Sequence, residues 1–147
     1  MDKDDIIATL NDLIETSRDG EEGFRTCAGG VKNIQLKQMF EHAAIRCGQA
    51  VSELQAKVRS LGGDPERRGS VSGALHRGWV DIKSTITGMD EAAVLAECER
   101  GEDVARKAYE EALAKHLPGD IRSIVERQYQ GVRQHHHRVR QLRNAVS

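Results

Sequence analysis

The amino-acid sequence predicts an all-α protein folded as a four-helix bundle, and two observations carry that expectation. Charged residues make up 31% of the 147-residue chain while aromatics make up 3%. That balance suits long solvated helices whose seams are filled by Ala, Val, Leu and Ile. Apolar residues also recur at three- and four-residue steps along four long stretches, separated by Gly, Pro, Asn and Asp stops, which is the period of a buried helix face. The length suits one domain, 1–147, able to bury a continuous core without staples.

The first helix is expected over residues 4–31, where Ile6, Leu10, Leu13, Ile14, Ser17, Glu21, Phe24 and Ala28 share an inner stripe. The stripe is apolar except at Ser17 and Glu21. Gly29-Gly30 weakens its last turn, and Asn33 is the natural cap of a second helix over 34–61. That helix should bury Phe40, Ala43, Cys47, Ala50, Leu54, Val58 and Leu61, and Gly62-Gly63-Asp64-Pro65 stops it.

The connection from Gly62 to Asp90 is too long for a hairpin. Within it Leu75, Trp79, Ile82 and Ile86 fall on one helical stripe, predicting a short crossover helix over 71–87 that docks on the outside of the bundle with Trp79 as its peg. At 1.5 Å per residue it covers roughly 25 Å, much of the bundle's height.

Asp90 is a simple cap for a third helix over 90–116, which presents Leu95, Cys98, Glu102, Ala105, Tyr109 and Ala112. Leu117-Pro118-Gly119-Asp120 ends it. A fourth helix over 120–145 places Ile121, Val125, Gln128, Val132, His135, Val139, Leu142 and Val146 on one side.

If the first helix runs up, the second down, the third down and the fourth up, then Glu21, Arg46, Glu102 and His135 fall at one depth, with Gln49 beside Arg46. In bundles such a layer is where carboxylate-bridged metal pairs are built. An arginine there cannot be deprotonated to serve as a ligand. Three readings follow. Arg46 stands in for a metal by pairing with Glu21 and Glu102 inside the bundle; or Arg46 and Gln49 flank the seam and snorkel outward; or Glu21, Glu102 and His135 keep a mononuclear metal site.

A formal net charge of -1 gives no overall pull toward nucleic acid or anionic membranes. The distribution is uneven: acids crowd residues 1–30, arginines crowd 121–147, and the first and last helices are expected to attract each other weakly. Arg133, His136, Arg140 and Arg143 share a face suited to an anionic partner, to another copy's acidic first helix, or simply to solvent. Cys27, Cys47 and Cys98 lack any C-x-x-C pair and read as small buried residues of a reducing compartment. The amino terminus carries no secretion signal, and no stretch is apolar enough to span a bilayer. His135-His136-His137 cannot converge on one ion, because successive helical positions point about 100° apart. Phosphate-loop, zincin and hydrolase motifs are absent from the sequence.

The segment Arg46-Cys47-Gly48-Gln49-Ala50 resembles the second-helix Glu-x-x-His stretch of ferritins, with Arg46 in place of the glutamate and Gln49 in place of the histidine. More closely, the chain resembles an uncharacterised bacterial family of ferritin-like four-helix bundles, a domain of unknown function. The resemblance runs through Leu10-Asn11-Asp12-Leu13-Ile14-Glu15, Asp19-Gly20-Glu21-Glu22-Gly23, Gly73-Ala74-Leu75-His76-Arg77-Gly78-Trp79 and Glu97-Cys98-Glu99-Arg100-Gly101-Glu102-Asp103. It implies that Glu21 holds the first-helix ligand position and Glu102, or Glu99 in a shifted alignment, the third. A di-iron site needs four carboxylates and two histidines, so two replaced ligands argue against ferroxidase activity.

The leading expectation is a non-enzymatic, self-associating cytoplasmic bundle with a degenerate metal site and no cofactor, in an interaction or stress-associated role, with a dimer favoured. The alternatives are a ferritin-like binder of iron or another divalent metal through Glu21, Glu102 and His135, and a DNA-associating bundle using the arginine-rich last helix, nucleic acid being the less favoured partner.

Overall fold

The computed structural model describes residues 1–65 and 90–146, the last with its backbone alone. Among them are four helices and no strand: α1 (Lys3–Gly29), α2 (Ile34–Ser60), α3 (Glu91–Leu113) and α4 (Gly119–Val146). The crossover helix expected over 71–87, with Leu75, Trp79, Ile82 and Ile86, lies outside the described residues.

The first three helices start where the sequence supplies a cap. Asp2 accepts from the Asp5 N–H at 2.9 Å, Asn33 from Leu36 at 3.1 Å and Asp90 from Ala93 at 2.7 Å, each satisfying an otherwise orphaned first-turn donor. At the end of α2, Gly62 takes φ +81°. Its N–H bonds Arg59 O at 2.9 Å while that of Gly63 bonds Val58 O, also at 2.9 Å, which is a Schellman motif. The third helix stops at Leu113, short of the expected 116. The chain there tightens into turns, with Lys115 N–H on Ala112 O at 3.2 Å and Leu117 N–H on Lys115 O at 3.0 Å, so Leu117 folds back into the core.

Contacts at the two ends fix the directions. At the upper end, Glu91 Oε2 accepts from the backbone N–H groups of Lys32 (3.1 Å) and Asn33 (2.8 Å), joining the head of α3 to the α1–α2 turn. At the lower end Lys115 reaches Thr9 Oγ1 at 3.1 Å, and Lys57 near the end of α2 pairs with Asp120 at the start of α4. Hence α1 runs up, α2 down, α3 down and α4 up. Pro65 and Asp90 stand at opposite ends, so the connection between them is a long crossover.

Neighbouring pairs are α1 with α2, α3 with α4, α1 with α3 and, most sparsely, α2 with α4. The expected attraction between α1 and α4 does not organise the bundle. They are diagonal, and the α4 cations are taken up by the adjacent helices: Arg140 and Arg143 by Glu99, His136 by Asp103, Arg127 by Glu53. The apolar core falls into two halves. The upper half centres on Phe24, Phe40, Leu36, Leu95, Cys98 and Val139, and the lower on Leu10, Leu13, Leu54, Val58, Tyr109 and Ile121. Between them lies a polar waist.

Candidate functional site

The upper part of the waist is built by Glu102 of α3 and His135 of α4. Both are buried, 3% and 7% exposed, and His135 Nδ1 meets Glu102 Oε2 directly. Phe24 from α1 abuts the imidazole with ring centroids 5.0 Å apart and planes at 74°, an edge-to-face contact that fixes the ring. Glu102 Oε1 and His135 Nε2 are buried without a hydrogen-bond partner. Of the His135-His136-His137 run, only the first enters the core. His136 meets Asp103 Oδ1 at 2.7 Å, and His137 is exposed.

The lower part of the waist joins all four helices. Tyr109 of α3 donates to Gln128 Oε1 of α4 at 2.9 Å, which leaves the Ser17 hydroxyl of α1, 3.3 Å away, to donate to the phenol oxygen. Gln128 Nε2 then donates to Glu53 Oε1 of α2 at 2.8 Å, and Arg127 closes on the other oxygen of Glu53. Burial pushes the Tyr109 hydroxyl up to about 12, with the Ser17 hydrogen bond opposing. Sequence periodicity placed Ser17, Tyr109 and Gln128 on inner stripes but did not join them. Glu53 carried no signal, being off the stripe of its helix.

Arg46 is half-buried and reaches across from α2 to α4, where Nη1 donates to Gly131 O at 2.7 Å. A Cβ on Gly131 would lie 3.2 Å from Arg46 Cδ, so the glycine gives the side chain its bed. No ion pair joins Arg46 to Glu21 or Glu102 among the described residues. Glu21 is half-buried. Its carboxylate rests against Gly48 of α2, where a Cβ would collide with it, and it bridges to Arg25 at 3.5 Å. Gln49, expected on the inward face, is exposed on the rim of a cleft, because the sparse α2–α4 packing leaves that edge of α2 uncovered.

Cys47 belongs to the waist as well. Burial pushes its thiol up to about 11; the Arg46 cation opposes the rise, and the charges of Glu102 and Glu21 add to it. The fields of three of the expected layer residues therefore meet at a residue that pattern reading classed as small and apolar. A cavity of about 30 Å³, room for about one or two waters, lies between Cys47, Tyr109, Glu102 and Gly20.

The donor set does not fit a metal pair. Among the described residues no group of three or more His, Cys, Asp or Glu side chains is placed to hold a metal ion. Glu102 and His135 supply two adjacent donors, but Glu21 is turned to Arg25 and the second helix contributes a cation. Where α2 and α4 stand apart, two clefts flank Arg46. The lower, about 330 Å³, is lined by Gln49, Glu53, Tyr109, Arg127 and Gln128. The upper, about 850 Å³, is lined by Gln38, His42, Gln134, His135 and Arg138.

Helix order, the long crossover and the mid-bundle polar layer define the protein as a ferritin-like four-helix bundle. A two-domain protein from Anabaena variabilis, containing DJ-1/ThiJ/PfpI-like and ferritin-like domains, matches the whole of this chain with a TM-score of 0.82 at 16% identity. This chain spans 41% of that protein's length. A dodecameric thioferritin, the bacterioferritin-related protein of Bacteroides fragilis, matches with a TM-score of 0.78 at 14% identity over 99% of this chain and 88% of its own. No curated protein matches the sequence. The family described as Domain of unknown function (DUF2383) matches residues 5–115, and the chain belongs to it. No helix among the described residues is long and apolar enough to cross a membrane.

Proposed function

We propose that this chain is a non-catalytic, single-domain, ferritin-like bundle that self-associates in the cytoplasm, in an interaction or stress-associated role, and whose waist holds helices in register instead of turning over metal. The observation that carries this reading is the Arg46 Nη1 to Gly131 O bond of 2.7 Å. At the position where the ferritin resemblance places a second-helix glutamate, the chain supplies a permanent cation engaged with a backbone carbonyl. Gln49, in the place of the histidine, faces solvent. The thioferritin's dodecamer supports assembly of copies, with a dimer as the proposed unit.

A second reading, a divalent-metal binder, draws its support from the buried, unpartnered Glu102 Oε1 and His135 Nε2. One experiment separates the two. Protein loaded with ferrous iron, zinc or manganese under reducing conditions and then desalted is expected to retain substoichiometric metal by mass spectrometry. Stoichiometric retention that disappears in Glu102→Ala would establish the metal binder and overturn the leading reading.

A further inference from the structure

The upper α2–α4 groove has a composition that the waist does not explain. Its walls contain Arg46, Arg138, His42 and His135, with glutamines between them and no carboxylate. Among the described residues neither Arg138 nor His42 has an ion-pair or hydrogen-bond partner, although every other arginine of α4 has an acid or an aromatic ring beside it. Arg46 commits one nitrogen to Gly131 and also hydrogen-bonds the Cys47 thiol, which still leaves part of its five-donor fork for a ligand. His135 is 7% exposed and its Nε2 has no partner. A buried polar atom left in this state costs free energy unless something meets it.

We propose that this groove binds a small phosphate-bearing anion, held by the guanidinium groups of Arg46 and Arg138 and by the imidazole of His42, with His135 joining through Nε2–H in the imidazolium form whose Nδ1–H is donated to the Glu102 carboxylate beneath the groove. The sign of the charge decides against a metal ion. Two histidines in one groove suit a cation, but two guanidinium groups in the same walls repel one and offer donors only. Planar guanidinium forks match phosphate oxygens in charge and in geometry. The formal net charge of -1 makes this positive potential local, so it selects an anion that fits the groove over a long polyanion lying on the surface. A volume of about 850 Å³ falls within the size range of small-molecule sites, and the amides of Gln35, Gln38 and Gln134 can bond the uncharged remainder of the ligand.

The test is calorimetric titration of the full chain with inorganic phosphate, pyrophosphate and ATP at fixed ionic strength. Saturable binding of one or more of them is expected, weakened about tenfold by Arg138→Gln, the loss of one charge-assisted bond. Binding of phosphate alone would make the oxyanion the whole determinant, while binding confined to ATP would mean that the glutamines read the rest. Arg138 is exposed, so the variant should keep the parent melting temperature; if it does not, His42→Ala provides the same comparison. Arg133→Gln, on a different face and stacked on Tyr129, should bind like the parent. Absence of saturable binding, binding indifferent to both groove substitutions, or equal loss in Arg133→Gln would overturn the proposal. So would tighter association with duplex DNA than with any small phosphate, falling steeply with salt.

Discussion

Cys47 shows how a waist of mixed polarity sets the chemistry of one atom. With its thiol raised to about 11, the reactive thiolate is scarce at neutral pH, whereas in the unfolded chain the thiol returns to an ordinary value of about 8.5. Iodoacetamide at pH 8 should therefore label Cys47 far more slowly in the folded protein than in urea, and equal rates would show that the thiol is not desolvated. A folded-state value above the unfolded one contributes stability that is complete below the unfolded value and lost as pH rises toward the folded one. Tyr109, raised to about 12, acts in the same direction, so urea midpoints should fall between about pH 9 and 12. At this scale the sequence was partly legible. Glu102 and His135 were visible because a charged residue interrupts an apolar stripe. Cys47 was not, because cysteine counts as apolar in any pattern, and Gln49 was left between the inward layer and the outside of the seam, because periodicity cannot reveal that two helices stand apart.

The helices themselves were legible nearly to their ends, since caps are local chemistry: Asn33 and Asp90 sit where the first free N–H groups need an acceptor. The stop after α2 is equally local. Gly62 holds φ +81°, a region costly for any residue with a Cβ. Gly62→Ala should lower stability by about 1 kcal/mol, read as a shift in urea midpoint with unchanged m-value; an unaltered midpoint would mean that the motif contributes nothing. The early end of α3 was not legible. Ala114 to His116 could continue the helix by propensity, while Pro118 already disfavours helical backbone at Leu117; the chain turns inward a few residues earlier still, and Leu117 is buried against the lower core, a tertiary effect that propensity does not encode.

At the scale of the molecule, four helices and a long crossover could be read from stripe lengths and from the span between Gly62 and Asp90, while the loose α2–α4 seam could not. That seam depends on relative helix placement, which no single stripe encodes. The α3–α4 pair is held to the α1–α2 pair by the α1–α3 packing, by the hydrogen-bonded chain from Ser17 to Glu53 and by Arg46 reaching Gly131. Arg46→Met keeps the aliphatic reach but removes the tie. It should raise amide exchange in α4 around Gly131 more than in the α1–α2 pair, at a cost of about 1 to 2 kcal/mol. Uniform change across all four helices would mean that the tie is not local.

The Ser17, Tyr109, Gln128 and Glu53 chain also works as an assembly gauge. Apolar stripes tolerate misalignment, because a helix displaced axially by one turn, about 5.4 Å, still sets leucines against leucines. The same displacement carries Tyr109 away from Ser17 and Gln128 together and strands several polar groups at once, in a medium where each stranded group is expensive. A chain tuned by oily seams alone would have several nearly equal ways to close. With this gauge threaded through all four helices, one offset satisfies every donor, and the bundle can distinguish it from its neighbours.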